Sequence, residues 1–345
     1  MAYYTKINKL EFKKYLKDYS LEDLNYFKGI KEGIENTNYF FKTKSNKCVL
    51  TIYENKIIER IKEKNLSFFI DLVNFLRKRK FPCPKILYNN NNKQLNSYKN
   101  KQFTVIDFVN GKIAKKINFQ HCYKLGRTLA TLHKKSLKFK KKRKNHFSLN
   151  EWGKLIKKKI NLSKNESFFL KKEIKYIKKN WPRKLPSGII HGDLFPDNVF
   201  FKDSKIIGII DLSNACNDFF CYDLSICINS WCYENKLNID KMKNLIKGYN
   251  SVRKIKIQEI KYLNLFLRAS SLRFYLSRLM DSQNKKIPKK YKKNPKEYLK
   301  KLKFFRENTL LSQSFVKDNS LTIKSYLATF SPELSIESFI RISIG

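Results

Sequence analysis

From Ile189 to Asp211 the chain reads Ile-Ile-His-Gly-Asp-Leu-Phe-Pro-Asp-Asn-Val-Phe-Phe-Lys-Asp-Ser-Lys-Ile-Ile-Gly-Ile-Ile-Asp. Apolar, β-branched-rich runs bracket a polar loop, and Lys202-Asp203-Ser204-Lys205 separates the two later runs. This patterning predicts strand, loop, strand, turn, strand. Three polar side chains stand at the joints: Asp193, Asn198 five residues later, and Asp211 thirteen after that. Phosphoryl transfer from ATP to a hydroxyl needs such a set. One carboxylate orients and deprotonates the acceptor; an amide oxygen and a second carboxylate hold the metal that bridges the phosphates. A His-Gly-Asp triplet alone carries little, because Asp and Asn are common wherever turn backbone needs an acceptor. The whole spacing, closed by an apolar strand ending in Asp, is much rarer.

The pattern resembles the aminoglycoside phosphotransferase and choline kinase superfamily, distant relatives of the protein kinases. Protein kinases carry Arg at the position of Gly192, and Asp-Phe-Gly where this chain has Asp211-Leu212-Ser213. Gly192 therefore points to kinases of small molecules. The resemblance implies an α+β, two-lobed protein-kinase-like fold, with a small, mostly antiparallel N-terminal sheet and a larger, mainly helical C-terminal lobe. It implies Asp193 as the catalytic base and Asn198 and Asp211 as metal ligands. His191, bonded to loop backbone, and Asp223, steadying the catalytic loop, are implied as support.

The segment Gly33-Ile34-Glu35-Asn36-Thr37-Asn38-Tyr39 is similar to the superfamily's nucleotide loop. Gly33 lets backbone approach phosphates without a Cβ clash, and the amides of Asn36 and Asn38 are candidate nucleotide contacts. ATP and Mg²⁺ are the implied cofactors. Four stretches are closer to one branch, the kinase-like (type II) homoserine kinases: Phe27-Lys28-Gly29-Ile30, Leu50-Thr51-Ile52-Tyr53-Glu54, Ala215-Cys216-Asn217-Asp218 with Tyr222 to Cys232, and Leu267-Arg268-Ala269-Ser270-Ser271-Leu272-Arg273-Phe274. This resemblance covers about residues 1–306. It implies homoserine and ATP as small-molecule partners, with phosphorylation of the homoserine hydroxyl. Such an acceptor carries an ammonium and a carboxylate, so its site needs an acidic group and a cation, preferably an Arg fork. Arg273, Arg278 and Asp218 are the substrate-binding candidates, with Glu234 as a further carboxylate; residues of these types are more often surface ion pairs. Other acceptors, such as choline, ethanolamine or an aminoglycoside, fit the same chemistry. One departure is Thr51, which stands where kinases place a phosphate-pairing Lys. Lys42 or Lys47 is a candidate replacement.

A small N-terminal sheet is predicted from a helix region over residues 11–27, centred on Leu21-Glu22-Asp23-Leu24, then strands on either side of the Gly33 turn, at Cys48–Glu54 and at Lys101–Val109. One helix, Ser67–Arg79, packs on it. Asn110-Gly111 marks a turn. The expected units are residues 1–110 as nucleotide-binding lobe, 111–306 as catalytic and substrate lobe, and 307–345 as a tail without an assigned role. Residues 309–345 have balanced charge, whereas the residues before them carry the whole net charge of +45.

That charge raises the alternative of a basic nucleic-acid-binding protein on a kinase scaffold. The excess is mostly Lys, spread along the chain and accompanied by Asn, Ile, Phe and Tyr, as an A/T-rich coding bias produces. No nucleic-acid motif is present, so no specific nucleic-acid partner is expected. There is no run of about 18 apolar residues and no apolar signal core, so no membrane span is expected and a cytoplasmic location is. Seven scattered cysteines without a Cys-x-x-Cys pair read as reduced thiols.

Overall fold

The structure, a computed structural model, describes residues 5–21, 23–31, 36–54, 66–157, 162–285 and 287–308. Helix α1 (Lys9–Leu16) precedes strands β1 (Tyr26–Ile30), β2 (Asn36–Lys42) and β3 (Lys47–Tyr53), then helix α2 (Leu66–Lys78) and strands β4 (Asn96–Tyr98) and β5 (Lys101–Asp107). The five strands form one antiparallel sheet in the order β1-β2-β3-β5-β4. The strands alternate. Phe41, Leu50, Ile52, Phe103 and Val105 point to one face and bury themselves against Phe12 and Leu16 of α1. Asn8 caps α1 by accepting from the Glu11 N–H at 2.8 Å. The Phe12 ring stacks on Phe27 at 4.5 Å and meets Phe41 edge-on at 5.0 Å.

The segment before α1 is tied to the sheet through a buried carboxylate. Glu54 accepts from the hydroxyls of Thr5 and Thr37 and pairs with Lys101. Burial by itself pushes the Glu54 carboxyl up, but the hydrogen bonds from Lys101, Thr37 and Thr5 bring it below its ordinary value. A depressed carboxylate adds stability that is complete above its unfolded value, about 4.3, and is lost as pH falls through the folded value. Glu54→Gln is therefore expected to melt below the wild type at pH 6, with a deficit that shrinks as pH falls to 3. A constant deficit in thermal unfolding across that range would remove Glu54 as the cause.

The rest of the chain is mainly helical: α3 (Phe119–Ser136), α4 (Leu149–Lys157), α5 (Lys164–Lys179), α6 (Phe220–Trp231), α7 (Ile239–Asn250), α8 (Ile257–Gln283) and α9 (Lys296–Glu307). Between α5 and α6 lie β6 (Ser187–Ile190), β7 (Val199–Lys202), β8 (Lys205–Ile209) and β9 (Cys216–Phe219). Helix α6 is apolar on nearly every side and is buried all round, as that composition requires. Helices α3 and α7 cross with backbones touching. A Cβ on Gly126 would stand 1.9 Å from the Leu245 carbonyl oxygen, and one on Gly248 1.9 Å from that of Tyr123. Inside, Arg268 on α8 grips Glu173 on α5 through two bonds of 2.7 and 2.8 Å.

The strand–loop–strand–turn–strand expectation matches β6, β7 and β8. Asp203 and Ser204, with φ of 47° and 61°, turn the β7–β8 hairpin in the left-handed geometry that suits a two-residue loop. The helix centred on Leu21–Leu24 is corrected. The helical path runs from Lys9 through a 3₁₀ turn at Lys17–Tyr19, and Ser20 at φ 49° ends it, so the described residues of 21–25 are not helical. Strand β9, paired with β6 from Ile190↔Cys216 to Ser187↔Phe219, had no expectation. Its four residues, Cys-Asn-Asp-Phe, are too short and polar to announce a strand. The Gly33 turn and the tail beyond residue 308 lie outside the described residues.

Candidate active site

Strand β6 delivers His191, Gly192 and Asp193 into a loop that closes on the 3₁₀ turn Pro196–Asn198. The Asn198 side-chain N–H donates to the Asp193 carbonyl oxygen at 2.8 Å, and the Ile210 N–H donates to the Asn198 carbonyl oxygen at 3.0 Å. Asp193, Asn198 and Asp211 are thus held in one hydrogen-bonded unit, although eighteen residues separate the first from the last. Asn198 directs its amide nitrogen inward, which leaves its side-chain oxygen to a ligand. Asp211 adopts φ 60°, a left-handed conformation that Asp tolerates. One Asp211 carboxylate oxygen accepts from the Ser213 hydroxyl at 2.6 Å.

His191 is fully buried. Its Nδ1 accepts from the Asp193 N–H at 3.3 Å, so Nε2 carries the proton and donates to the Ile210 carbonyl oxygen at 2.9 Å. One imidazole thereby spans from the Asp193 loop to the residue before Asp211. Gly192, at φ +75°, needs the freedom that a glycine has there. Both of its backbone groups are clamped. Its N–H donates to Asp223 Oδ1 at 2.9 Å, and its carbonyl accepts from the Arg273 guanidinium.

Asp223, in the first turn of α6, is the hub below this loop. Besides Gly192 it accepts from the His191 N–H at 2.8 Å and from His133 Nε2 at 3.0 Å. Burial alone pushes this carboxyl up, but the donors, His133 foremost, hold it below the usual carboxylate range. Burial also holds His133 below the usual histidine range, so the pair stands as carboxylate and neutral imidazole. His133 Nδ1 then accepts from the Tyr249 hydroxyl at 2.7 Å. His133 and Tyr249 carried no role in the sequence reading. The available signal was periodic: His133 follows Leu125, Leu129 and Leu132 on the apolar face of α3, where a histidine must find a buried partner.

The nucleotide-side candidates divide. Gly33 lies outside the described residues. Asn36 and Asn38 lie on β2, and the Asn38 side-chain oxygen accepts from Thr51 at 2.8 Å. Tyr53, two residues on from Thr51, bonds Thr104 at 3.0 Å within electrostatic reach of Asp211. Lys42 and Lys47 pair at the opposite end of the hairpin, four residues from the Asn38↔Thr51 pair. That is about 13 Å along a strand, and the structure separates both from the Thr51 position.

The substrate candidates also divide. Arg273 and Arg278 are five residues apart on α8, which turns them about 140° from each other. Arg273 faces the Gly192 loop. Arg278 faces α9, where it pairs with Glu297 and lies 4.4 Å over the Tyr298 ring. Asp218, on β9, accepts from the Asn145 side chain at 2.6 Å and from the Phe219 N–H at 2.7 Å. Glu234 pairs with Lys241. Among the described residues no group of three or more His, Cys, Asp or Glu forms a metal centre, no helix is long and apolar enough to cross a membrane, and every cysteine is free.

Residues 27–252 match the phosphotransferase enzyme family, APH, a span that contains the whole Asp193–Asn198–Asp211 unit. The chain belongs to that family. The phosphotransferase is 39% identical over 313 residues to a homoserine kinase of Sinorhizobium medicae strain WSM419, covering 89% of this chain and 95% of the relative. A homoserine kinase of Bartonella henselae strain Houston 1 is 38% identical over 321 residues, covering 91% and 99%. Among solved structures, the amicoumacin kinase hAmiN in complex with AMP-PNP, Ca²⁺ and Ami superposes with a TM-score of 0.70 at 14% identity, over 87% of this chain and 94% of that one. The choline kinase LicA of Streptococcus pneumoniae gives 0.63 at 13%, over 87% and 100%. The kinase-like α+β fold read from the sequence is the fold observed.

Proposed function

We propose that this phosphotransferase moves the γ-phosphoryl group of ATP to the side-chain hydroxyl of L-homoserine, giving O-phospho-L-homoserine. One observation carries the acceptor: 39% identity to curated homoserine kinases across nearly nine-tenths of the chain. The reaction type rests on family membership and on the single unit that joins Asp193, Asn198 and Asp211.

In this reading Asp193 accepts the hydrogen bond of the acceptor hydroxyl, aims its oxygen at phosphorus and takes its proton. The Asn198 side-chain oxygen and the Asp211 carboxylate suit a hard divalent cation such as Mg²⁺, whose remaining ligands in kinase sites are waters and phosphate oxygens. When bound, that cation neutralises charge on the β- and γ-phosphates. Ser213 restricts Asp211 to one rotamer, and His191 keeps the two loops in register. The protein's contribution is positioning and charge stabilisation, which supply most of the acceleration in this chemistry.

The test is ADP release by the full chain with Mg·ATP and homoserine, choline, ethanolamine or serine in turn. Homoserine-dependent release is expected to exceed that with the others, and EDTA in excess over metal is expected to stop it. A folded, ATP-binding protein that releases no ADP with homoserine would overturn the acceptor.

A further inference from the structure

Beyond His133, the hydrogen bonds that reach the catalytic loop continue to the corner between α7 and α8. Arg253 Nη1 donates to the Tyr249 hydroxyl oxygen at 3.2 Å, and that hydroxyl meets His133 Nδ1 at 2.7 Å. His133 Nε2 meets Asp223 at 3.0 Å, and Asp223 accepts from the Gly192 and His191 N–H groups at 2.9 and 2.8 Å. The outer end is anchored. Arg253 forks onto Glu259 at 3.1 and 2.9 Å, and Glu259, itself buried, also accepts from the Lys256 N–H at 3.0 Å. Tyr249, His133 and Asp223 are all buried. The Phe220 ring stacks on His133 at 4.4 Å and carries the Arg253 guanidinium 4.8 Å from its centre.

The ends of this run fix the direction of every proton in it. A guanidinium has donors only and is always charged. The Tyr249 oxygen therefore accepts from Arg253, and its own proton goes to His133 Nδ1. A carboxylate only accepts, so Nε2 carries the imidazole proton. A second proton could enter at Nδ1 only if the Tyr249 hydroxyl turned its hydrogen away and left it unpaired in the core, which buried polar groups avoid. Burial already holds His133 below the ordinary histidine range, and the Arg253 charge presses the same way, against the pull of Asp223 and Glu259. The titratable and charged groups facing His133 are Asp223 from α6, Tyr249 from α7, Arg253 beyond its end and Glu259 from α8. His191, after β6, acts on Asp223, and the Cys221 thiol, bonded to the Glu259 carbonyl oxygen, is pushed up by burial and stays protonated. The state of His133 matters to the loop. Beside a neutral imidazole Asp223 keeps its charge for the two backbone N–H groups; beside an imidazolium that charge is drawn to His133, and the two backbone bonds weaken.

We infer that Tyr249, Arg253 and Glu259 are positioning residues for phosphoryl transfer: by closing His133 Nδ1 to a second proton they keep Asp223 committed to the Gly192 and His191 N–H groups, and so hold the loop that presents Asp193. The inference rests on the reading of Asp193 as the base and is independent of which alcohol accepts the phosphoryl group. None of the three touches a reacting atom; each acts through His133 and Asp223.

The experiment compares the full-length wild type with Tyr249→Phe, Arg253→Met and Arg253→Lys. The imidazoles, 4 in the chain, are titrated by NMR of histidine-labelled protein. The pH profiles of kcat and KM are taken from ADP release with Mg·ATP and whichever of homoserine, choline, ethanolamine and serine is turned over. Hydrogen–deuterium exchange over residues 189–194 is measured at a pH between the wild-type and variant His133 midpoints. Tyr249→Phe removes the donor that favours the neutral imidazole, and Arg253→Met removes the like charge behind it. Each is expected to raise the His133 midpoint by about one pH unit, a tenfold change in its proton affinity. The acid limb of kcat should move up by about the same interval, KM for Mg·ATP should stay within about twofold, and exchange over 189–194 should quicken. Arg253→Lys keeps a charge beside Tyr249 and a partner for Glu259, so its profile should lie closer to the wild type than that of Arg253→Met. A merely structural role would lower kcat by one factor at every pH and leave the limb in place. Should Arg253→Met fail to fold with Glu259 left buried and unpaired, Tyr249→Phe, which keeps the Arg253–Glu259 pair, carries the test. A His133 midpoint unmoved in Tyr249→Phe overturns the inference. A raised midpoint with both the kcat limb and the exchange unchanged overturns it as well. A wild type that turns over none of the four alcohols overturns the homoserine reading alone; the inference then stands if exchange over 189–194 quickens in Tyr249→Phe and falls if it does not.

Discussion

Asp193→Asn is expected to lower kcat by roughly 10²- to 10⁴-fold, the range for loss of a positioned general base. The substitution keeps the side chain's size and changes only its ability to hold a negative charge and accept the hydroxyl proton. The main-chain bonds that place residue 193 do not involve its side chain: its N–H meets His191, and its carbonyl oxygen accepts from Asn198 and from the Phe195 N–H. The loop should therefore keep its shape. KM for Mg·ATP should stay within about twofold, as expected when an interaction made only in the transition state is removed, and the melting temperature should not fall. A variant that retains a tenth or more of wild-type kcat would show that Asp193 is not the base.

Asp223 should give the largest combined effect on stability and rate. Its two oxygens receive three donors, from His191, Gly192 and His133, all in a fully buried setting. Asp223→Ala leaves those donors without partners. Breaking one side of such a buried, charged cluster costs about 3–5 kcal/mol. Asp223→Asn is not a gentle control, because its amide N–H would confront one of the backbone N–H groups. Denaturant unfolding of both variants measures the loss, and kcat should fall in the folded fraction because the loop carrying Asp193 loses its hub. A variant within about 1 kcal/mol of wild type, the typical change on point substitution, would contradict the hub.

The same cluster fixes a pH dependence. His133 is held neutral by burial, so its folded value lies below the ordinary one near 6.5. As pH falls through about 6.5, the unfolded chain takes up a proton that the folded chain refuses, and stability declines. Asp223, also depressed, adds its loss only at lower pH, below its unfolded value of about 3.9. The sign is the same for both: stability is complete at higher pH and lost on acidification.

Much of this was legible in one dimension. The catalytic segment announced its strands through apolar runs, and the spacing of Asp193, Asn198 and Asp211 named the chemistry. Helix α2 followed from the helical spacing expected over Ser67–Arg79. Other features were hidden for definable reasons. The residues around Leu21–Leu24 have helical composition, yet Ser20 reverses the backbone before them. Strand β9 is made by its pairing with β6 and not by its own four residues. Arg273 and Arg278 look alike in sequence, but a five-residue step on a helix sends one to the catalytic loop and the other to α9.

The sequence by itself carried the resemblance that implied the fold class and the candidate reacting set, because that resemblance rests on apolar runs and on side chains at fixed offsets along one segment. Only the tertiary structure decided what surrounds that set. Asp223 reaches the Gly192 loop across 31 residues, His133 reaches Asp223 across 90, and Arg273 reaches Gly192 across 81. Such contacts depend on how helices and strands pack, and no periodicity encodes which distant residues will meet. The orphan hydroxyl of Tyr222 belongs to the same category. It reads as one more core aromatic until packing leaves its oxygen buried without a hydrogen-bond partner among the described residues.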